Sequence, residues 1–330
     1  MQSRPLGNSG IEASIVGLGT WAIGGWSWGG TDEQDSISAI HAALDSGINL
    51  IDTAPIYGMG LSEEIVGKAL RGRRDSAILA TKCGLRWDST YGEFVFNDGT
   101  HDIYRNLSPE GIQLEVENSL QRLKTDVIDL YQTHWQEQVT PLEDVMATLL
   151  SLVDSGKIRS IGVSNVTPEI LENYQKLGPI ASIQEKFSMV DRVHVKDGLF
   201  PAAESSKTAI LAYSPLDMGL LTGKIGPERT FGDGDMRKDN PRFSVESRTK
   251  VADLLATFEA FTQELECTMA QLVIAWTAQV SGISHVLCGA RNANQATENA
   301  QAGSLTLSDD MLNAMSETVE SMDIELPQPW

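Results

Sequence analysis

The sequence predicts an α/β fold of one kind: a single (β/α)8 TIM barrel, residues 1–330, with long βα loops on its C-terminal face. Three observations lead there. Short β-branched runs alternate with capped amphipathic segments from end to end, and no Gly/Ser linker, low-complexity tract or change of composition divides them. No Gly-x-Gly-x-x-Gly follows an early strand, which argues against a doubly wound dinucleotide-binding sheet. About eight βα units fill a chain of 330 residues as one barrel.

The strands are the short apolar runs at residues 48–51, 78–80, 127–131, 161–163, 180–183, 210–213 and 286–288. Their length and β-branched content suit strands buried on both faces. Between them the helices have readable starts. Thr31 with Gln34 predicts a capping box ahead of the face Ile37, Ile40, Leu44, with Gly47 after its end. Ser108-Pro109 opens a helix carrying Ile112, Val116, Leu120 and Leu123. Thr140 with Glu143 predicts a second box, with Pro141 at the first helical position and the stripe Leu142, Val145, Met146, Leu149, Val153 closed by Gly156. Thr167-Pro168 opens a fourth.

Two connections are long. Residues 85–107 follow the third strand and carry Trp87, Tyr91, Phe94 and Phe96; residues 215–244 follow the seventh. Such lengths are uncommon in compact domains unless functional or disordered, and in a barrel these loops lie on the catalytic face.

Composition narrows the class. Apolar residues at 41% and charged residues at 21% are globular proportions. Forty-five acids against 25 bases give a net charge of −20, which repels phosphate backbones and excludes nucleic acid as an expected partner. Cys83, Cys267 and Cys288 are odd in number and unpaired in spacing, so neither a disulfide framework nor a metal module is expected. No signal-like leader and no apolar run near ~18 residues is present, so the expected location is cytoplasmic, without a membrane partner.

The strand ends carry the chemistry. In order they present Asp52, Lys82, His134, Ser164-Asn165, Gln184 and Tyr213-Ser214, with Tyr57 five residues beyond Asp52. In a barrel these converge on one rim. A tyrosine with a pKa near ~10 is a weak acid at neutral pH, and a neighbouring ammonium is expected to lower that pKa. A carboxylate behind the lysine keeps it charged, and a histidine beside them orients a carbonyl oxygen or shares the proton. The set suits protonation of an alkoxide forming from a carbonyl. Taken singly, each has a plain structural role: Asp52 and Lys82 as a rim ion pair, His134 as a buried histidine, Tyr57 as a loop aromatic.

At these residues the sequence resembles the aldo-keto reductase superfamily over nearly the whole chain. The matching pieces are Leu18-Gly-Thr-Trp21, Asp52-Thr-Ala-Pro-Ile-Tyr57-Gly, Ser62-Glu63, Thr81-Lys82, Asp129-Leu-Tyr-Gln-Thr-His134, Gly156-Lys157-Ile-Arg159, Gly162-Val-Ser-Asn165 and Ala212-Tyr-Ser-Pro-Leu216. Residues 19–26, together with Thr230, Asp235-Met-Arg237, Asn240-Pro241 and Phe243, look like the bacterial branch of glyceraldehyde reductases and general stress oxidoreductases.

The resemblance implies a carbonyl reductase that uses NADP(H). Tyr57 is its general acid, Lys82 and Asp52 tune it, and His134 orients the carbonyl. Ser164, Asn165 and Gln184 are implied to hold the nicotinamide carboxamide, Tyr213 to stack on the ring, and Gly19, Thr20 and Trp21 to lie beside ring and ribose. The loop after the seventh strand, with Ser214, Pro215, Leu216, Gly219, Leu221, Gly223 and Lys224, is implied to cover the pyrophosphate. Gly289, Arg291, Gln295, Glu298 and Asn299 fall where the adenosine end binds. Arg291 favours the 2′-phosphate there, whereas Gln295 replaces a second base and leaves NAD(H) open. Arg237 and Arg242 are further adenine-side candidates.

Two departures from the family pattern, Trp135-Gln136-Glu137 and Glu185-Lys186-Phe187-Ser188, lie near the rim. Trp21, Trp87 and Trp135, with Tyr57 and His134, are the candidate substrate pocket, and Leu326-Pro-Gln-Pro-Trp330 either covers it or frays. Without a visible anion clamp the expected substrates are small neutral aldehydes, ketones or the corresponding alcohols. A Schiff-base lyase through Lys82 and an NADPH-binding regulatory subunit with little turnover are the alternatives. The nicotinamide set has no task in the first, and the intact Tyr57, Lys82, Asp52 and His134 argue against the second.

Overall fold

The computed structural model describes residues 1–328; Pro329 and Trp330, the end of the candidate cover, lie outside the described residues. Eight parallel strands close into a barrel in chain order: β1 (Val16–Gly19), β2 (Leu50–Asp52), β3 (Ile78–Cys83), β4 (Ile128–Thr133), β5 (Ile158–Ser164), β6 (Ser182–Lys186), β7 (Ala209–Tyr213) and β8 (His285–Gly289), which returns to β1. Seven of these are the apolar runs of the sequence. β1 was hidden by its glycines: a Cβ on Gly17 would lie 2.8 Å from a Leu287 methyl inside the barrel.

The interior follows from the two-residue period of a strand. Its lower layer is apolar, with Leu50, Ala80, Leu130, Ala181, Ala209, Leu211 and Leu287 packed on Leu6 and Ala13. The last two belong to or adjoin an antiparallel N-terminal hairpin, Ser3–Pro5 with Glu12–Ser14. Two residues further along six of the strands the interior carries polar side chains: Leu50 gives way to Asp52, Ala80 to Lys82, Leu130 to Gln132, Gly162 to Ser164, Ser182 to Gln184 and Leu211 to Tyr213. Opposite faces of the same strands, such as Ile51, Leu79, Ile183 and Ile210, join the larger core beneath the helices.

That outer layer is built by α1 (Glu33–Asp45), α2 (Leu61–Ala69), α3 (Pro109–Leu123), α4 (Leu142–Asp154), α5 (Pro168–Leu177), α6 (Leu199–Ser205), α7 (Met269–Gln279) and α8 (Ala293–Ala302), with a C-terminal helix, Asp309–Met322, beyond. Ser108 and Thr167 cap α3 and α5 as expected, accepting from Gly111 and Ile170 amides. Two starts differ. α1 is capped by Asp32, which accepts from the Asp35 amide, while Thr31 is spent on Ser36 Oγ at 3.0 Å. At α4, Pro141 is the cap rather than the first helical residue, and the Thr140 hydroxyl has no hydrogen-bond partner. Glu137 supplies the acceptor instead, taking the Val139 and Thr140 amides.

The first long connection is ordered as a three-stranded antiparallel sheet, with Asp102–Arg105 between Leu85–Arg86 and Glu93–Asn97. Of the tail, Leu326 packs on the core and the Pro327 carbonyl accepts from Arg242 Nη1 at 2.9 Å. Among the described residues no helix is long and apolar enough to cross a membrane, and no group of three or more His, Cys, Asp or Glu is placed to hold a metal.

Candidate active site

Three strand ends and one loop assemble the centre. Lys82, fully buried on β3, donates to Asp52 Oδ2 at 2.7 Å, to the Thr53 carbonyl at 2.9 Å and to Tyr57 Oη at 3.2 Å. The His134 ring stands edge-on to Tyr57, centroids 5.8 Å apart. Tyr57 is brought to the lysine by a close backbone crossing. Gly58, at φ +70°, would carry a Cβ 2.2 Å from the Gly24 carbonyl oxygen, so neither glycine tolerates a side chain. The Ser62-Glu63 motif anchors the set from outside. Ser62 Oγ donates to Thr20 Oγ1 at 2.7 Å, and Glu63 accepts from Thr81 Oγ1 and Arg122 Nε, both at 2.6 Å.

Burial dominates the electrostatics. It raises the Tyr57 phenol above its ordinary value, and Lys82, pulling the other way, does not overcome it. The lowered tyrosine pKa expected from the sequence is therefore corrected: desolvation outweighs the ammonium. Burial alone would lower Lys82, but Asp52 and Tyr57 more than offset it and hold the ammonium above its usual range. Burial, then Lys82, drives His134 well below its ordinary value, leaving a neutral imidazole. The site thus holds a protonated phenol, a charged amine and a neutral histidine at neutral pH.

Around this centre lie the other expected residues. Asn165, at φ +56°, donates from Nδ2 to the His134 carbonyl at 2.9 Å and accepts from Tyr213 Oη at 2.9 Å. Ser164 Oγ donates to the Gln184 carbonyl at 2.6 Å, and Gln184 Nε2 to Asp52 Oδ1 at 2.8 Å. Thr20 Oγ1 donates to the Asp52 carbonyl at 3.0 Å. Trp21 lies 6.5 Å from the Tyr57 ring. Tyr57, Trp87 and Trp135 gather with Trp26, Met59 and Val95 over Ala54, Ile56, Leu85 and Ile103. Arg105, which no motif in the sequence marks, stacks on Trp135 at 5.2 Å.

The remaining positions form a rim from β7 round to β1. Ser214, Asp217 and Met218 hold left-handed φ of 56°, 46° and 53°, a cluster of strain of the sort found at ligand clamps. Pro215 and Leu216 lead into it; Gly219 and Gly223 also have positive φ, and Leu221 is fully buried as the loop's anchor. Lys224 pairs with Glu298 of α8 at 3.0 Å. Gly289 stands in register with Gly19, and a Cβ on either meets nothing nearer than 3.9 Å, which leaves an open backbone floor. Beside it Asn299 Nδ2 donates to the Gly289 carbonyl at 3.0 Å, and Gln295 Oε1 accepts the Arg291 amide at 2.8 Å. Arg291 donates to the Trp28 and Gly30 carbonyls, and Arg237 lies 5.2 Å over the Trp28 ring. Arg242 is elsewhere, fully buried between Asp217 and Asp191.

The first of the two departures is a structural tie. Gln136 Nε2 donates to Thr133 Oγ1 and the Ser164 carbonyl, while its Oε1 accepts from Tyr174 Oη. The Asp129 and Arg159 motif positions pair at 2.7 Å outside the barrel.

A nicotinamide dinucleotide fits this donor set. The amide, hydroxyl and phenol of Asn165, Ser164 and Tyr213 meet at one end, the strained loop lies between, and the glycine floor with Arg291 lies at the other. Over 301 residues the chain is 40% identical to aldo-keto reductase YhdN of Bacillus subtilis, covering 89% of this chain and 86% of that protein. It is also 40% identical over 329 residues to an NADH-specific methylglyoxal reductase of Escherichia coli, covering 98% and 100%. The glycerol dehydrogenase AKR11B4 of Gluconobacter oxydans superposes with a TM-score of 0.87 at 36% identity, over 99% and 98% of the two chains. Residues 15–320 match the aldo/keto reductase family, and with the barrel, the polar upper layer and the Tyr57–Lys82–Asp52 contact in place the chain belongs to that family.

Proposed function

We propose that the protein is a nicotinamide-dependent carbonyl reductase in which Tyr57 donates the proton. The observation that carries this reading is the single ammonium of Lys82 bound to both Asp52 and Tyr57 Oη, with His134 against the same phenol. A bound reduced nicotinamide supplies hydride to the carbonyl carbon. The chain's own residues do the rest. His134, neutral, donates an N–H to the carbonyl oxygen and fixes its position. Tyr57 delivers its proton to that oxygen as negative charge develops on it. Lys82 stabilises the phenolate left behind, and Asp52 keeps Lys82 charged and placed. In reverse the same groups accept the proton of an alcohol.

Asn165, Ser164 and Gln184 are proposed to orient the carboxamide and Tyr213 to support the ring face. NADP(H) is the proposed pair, with Arg291 at the 2′-phosphate. NAD(H) is proposed as an alternative on two grounds: Gln295 supplies no second base, and the E. coli relative is named as NADH-specific. Small neutral carbonyls, or the matching alcohols, are the proposed substrates. The aromatic rim and the names of the methylglyoxal and glycerol enzymes support that class. Lys82, held charged, is poorly suited to a Schiff base, which needs a neutral amine.

Tyr57→Phe tests the reading, followed by NADPH and NADH absorbance with a panel of small aldehydes. Cofactor binding with lost turnover supports it. Equal rates remove Tyr57 as donor, and binding without turnover in either protein favours a regulatory subunit.

A further inference from the structure

Behind Asn165 lies a second chain of polar groups that the proton-transfer set does not use. Glu185 points outward from β6, its side chain 1% exposed. Its Oε1 accepts the Val166 amide at 3.0 Å, while the Asn165 amide next to it donates to the Gln184 carbonyl at 3.2 Å. Its other oxygen lies 3.5 Å from His194 Nε2, and His194 Nδ1 lies 2.8 Å from Asp197 Oδ2. His194 sits on the four-residue helix Val193–Lys196, with its side chain 19% exposed.

From this geometry we infer that Glu185, His194 and Asp197 are positioning residues for the nicotinamide site: a Glu–His–Asp relay that sets Asn165 through its backbone and makes cofactor affinity depend on pH. The inference rests on the nicotinamide reading above. Three features support it. Asn165 holds a left-handed φ, a conformation that costs a non-glycine residue energy and persists only where neighbours fix it. The same residue ties His134, Ser164 and Tyr213 together, so a shift of its backbone moves groups on three strands. And the Val166 amide that Glu185 accepts belongs to the peptide joining Asn165 to Val166, so this bond fixes the peptide plane on the C-terminal side of Asn165.

The titratable groups facing Glu185 are His194 and Asp197 from the short helix and its end, and Tyr213 from β7; the β5 loop presents amides alone. Burial pushes the Glu185 carboxyl up to about 8, with Asp197 adding to the rise and the two amides opposing it. As pH rises through that value the carboxylate forms, and its hydrogen bond to the Val166 amide, in the peptide that follows Asn165, becomes charge-assisted and firmer. Affinity is therefore expected to strengthen on the alkaline side.

The test is fluorescence titration of the full-length protein with NADPH from pH 6.5 to 9.5, for the parent, Glu185→Gln, Glu185→Ala and His194→Phe. Comparison with the parent cancels the cofactor's own titration. Parent affinity is expected to rise about fivefold across the range, the gain of converting a neutral into a charge-assisted bond. Glu185→Gln keeps an acceptor for the Val166 amide and is expected to stay at the parent's low-pH affinity throughout. Glu185→Ala removes the acceptor and is expected to bind weakly at every pH, a loss that Gln rescues in part. His194→Phe removes the imidazole and is expected to move the midpoint. A parent curve flat in pH, or a Glu185→Gln curve that superimposes on a sloping parent, overturns the relay. A parent that binds neither NADPH nor NADH overturns the nicotinamide reading itself, which is a separable failure.

Discussion

Gln184 Nε2 reaches across 132 residues of chain to donate to Asp52 Oδ1 at 2.8 Å. Gln132 meets the same oxygen at 3.3 Å and Lys82 the other at 2.7 Å, so both carboxylate oxygens are held. Gln184 is thus a strut of the proton-transfer set as well as a candidate cofactor ligand. Gln184→Leu is expected to cost about 1–3 kcal/mol, the penalty of a buried acceptor losing its better donor. Urea unfolding reads the loss, with KM for the nicotinamide rising alongside. An unchanged midpoint would remove the strut from the account.

The Lys82–Asp52 pair is buried on both sides. Removing one partner leaves the other charge without compensation, so Lys82→Met is expected to lower stability by about 3–5 kcal/mol. The double variant Lys82→Met with Asp52→Leu is expected to recover much of that stability and none of the turnover. Recovery of activity in the double variant would show that the pair holds the fold and does no chemistry.

Much of this architecture is legible in the sequence because strands buried on both faces read as apolar runs, and the residue ending each run is the one delivered to the rim. Asp52, Lys82, His134 and Tyr213 were found that way. What meets what across the barrel is not legible from one chain. Gln132 lies just past its run and short of His134, and its bond to Asp52 spans 80 residues. Glu185 looked like a departure from a family pattern, and only the fold places His194 opposite it. At the helix starts, Thr31 was outcompeted by the carboxylate of Asp32, and Pro141 took the cap position from Thr140. Both are local contests between adjacent polar groups, which spacing does not decide.

Catalysis should have a broad pH plateau. The active acid is protonated Tyr57, and burial raises its pKa, so the active form extends above the ordinary value of 10.0. His134 is neutral because burial and Lys82 hold it well below 6.5, so the acid limb falls below that pH. With saturating cofactor and aldehyde, kcat for reduction is expected to stay level between those limits. A break near pH 6.5 would show that His134 titrates freely.

Stability should fall on the alkaline side for a different reason. Glu115 on α3 is buried with Oε2 on the Gly84 amide at 2.8 Å, and burial raises its carboxyl from 4.5 to about 8. A raised acid binds its proton more tightly in the folded state. Its contribution is therefore complete below the unfolded value and is lost as pH rises through about 8. Glu115→Gln keeps an acceptor for Gly84 and cannot ionise. Thermal melts should show the variant near the parent at pH 5 and more stable than it at pH 9, with the gap opening between. Parallel curves would mean that Glu115 is already charged at neutral pH.

The loops after β1 and β7 are fastened to each other, and their fastening sets how the groove opens. Gly29 N donates to the Gly234 carbonyl at 3.1 Å and Met236 N to the Ser27 carbonyl at 3.0 Å. Arg237 holds the join from below: it forks onto Asp235, donates to the Met218 carbonyl at 3.0 Å, and lies 5.2 Å over Trp28 and 4.9 Å over Phe231. Losing roughly 1–2 kcal/mol of local stability multiplies an open population by about 5–30. Arg237→Ala is accordingly expected to speed limited proteolysis within residues 226–240 by that factor while the global melting temperature moves little. Added NADPH should slow cleavage again if the fastened loops cover a bound nucleotide. Equal cleavage rates in parent and variant would place the strength of the join in the two backbone bonds instead, and Gly234→Ala, which leaves the Gly234 carbonyl but strains its turn at φ +75°, would then be the variant that moves it.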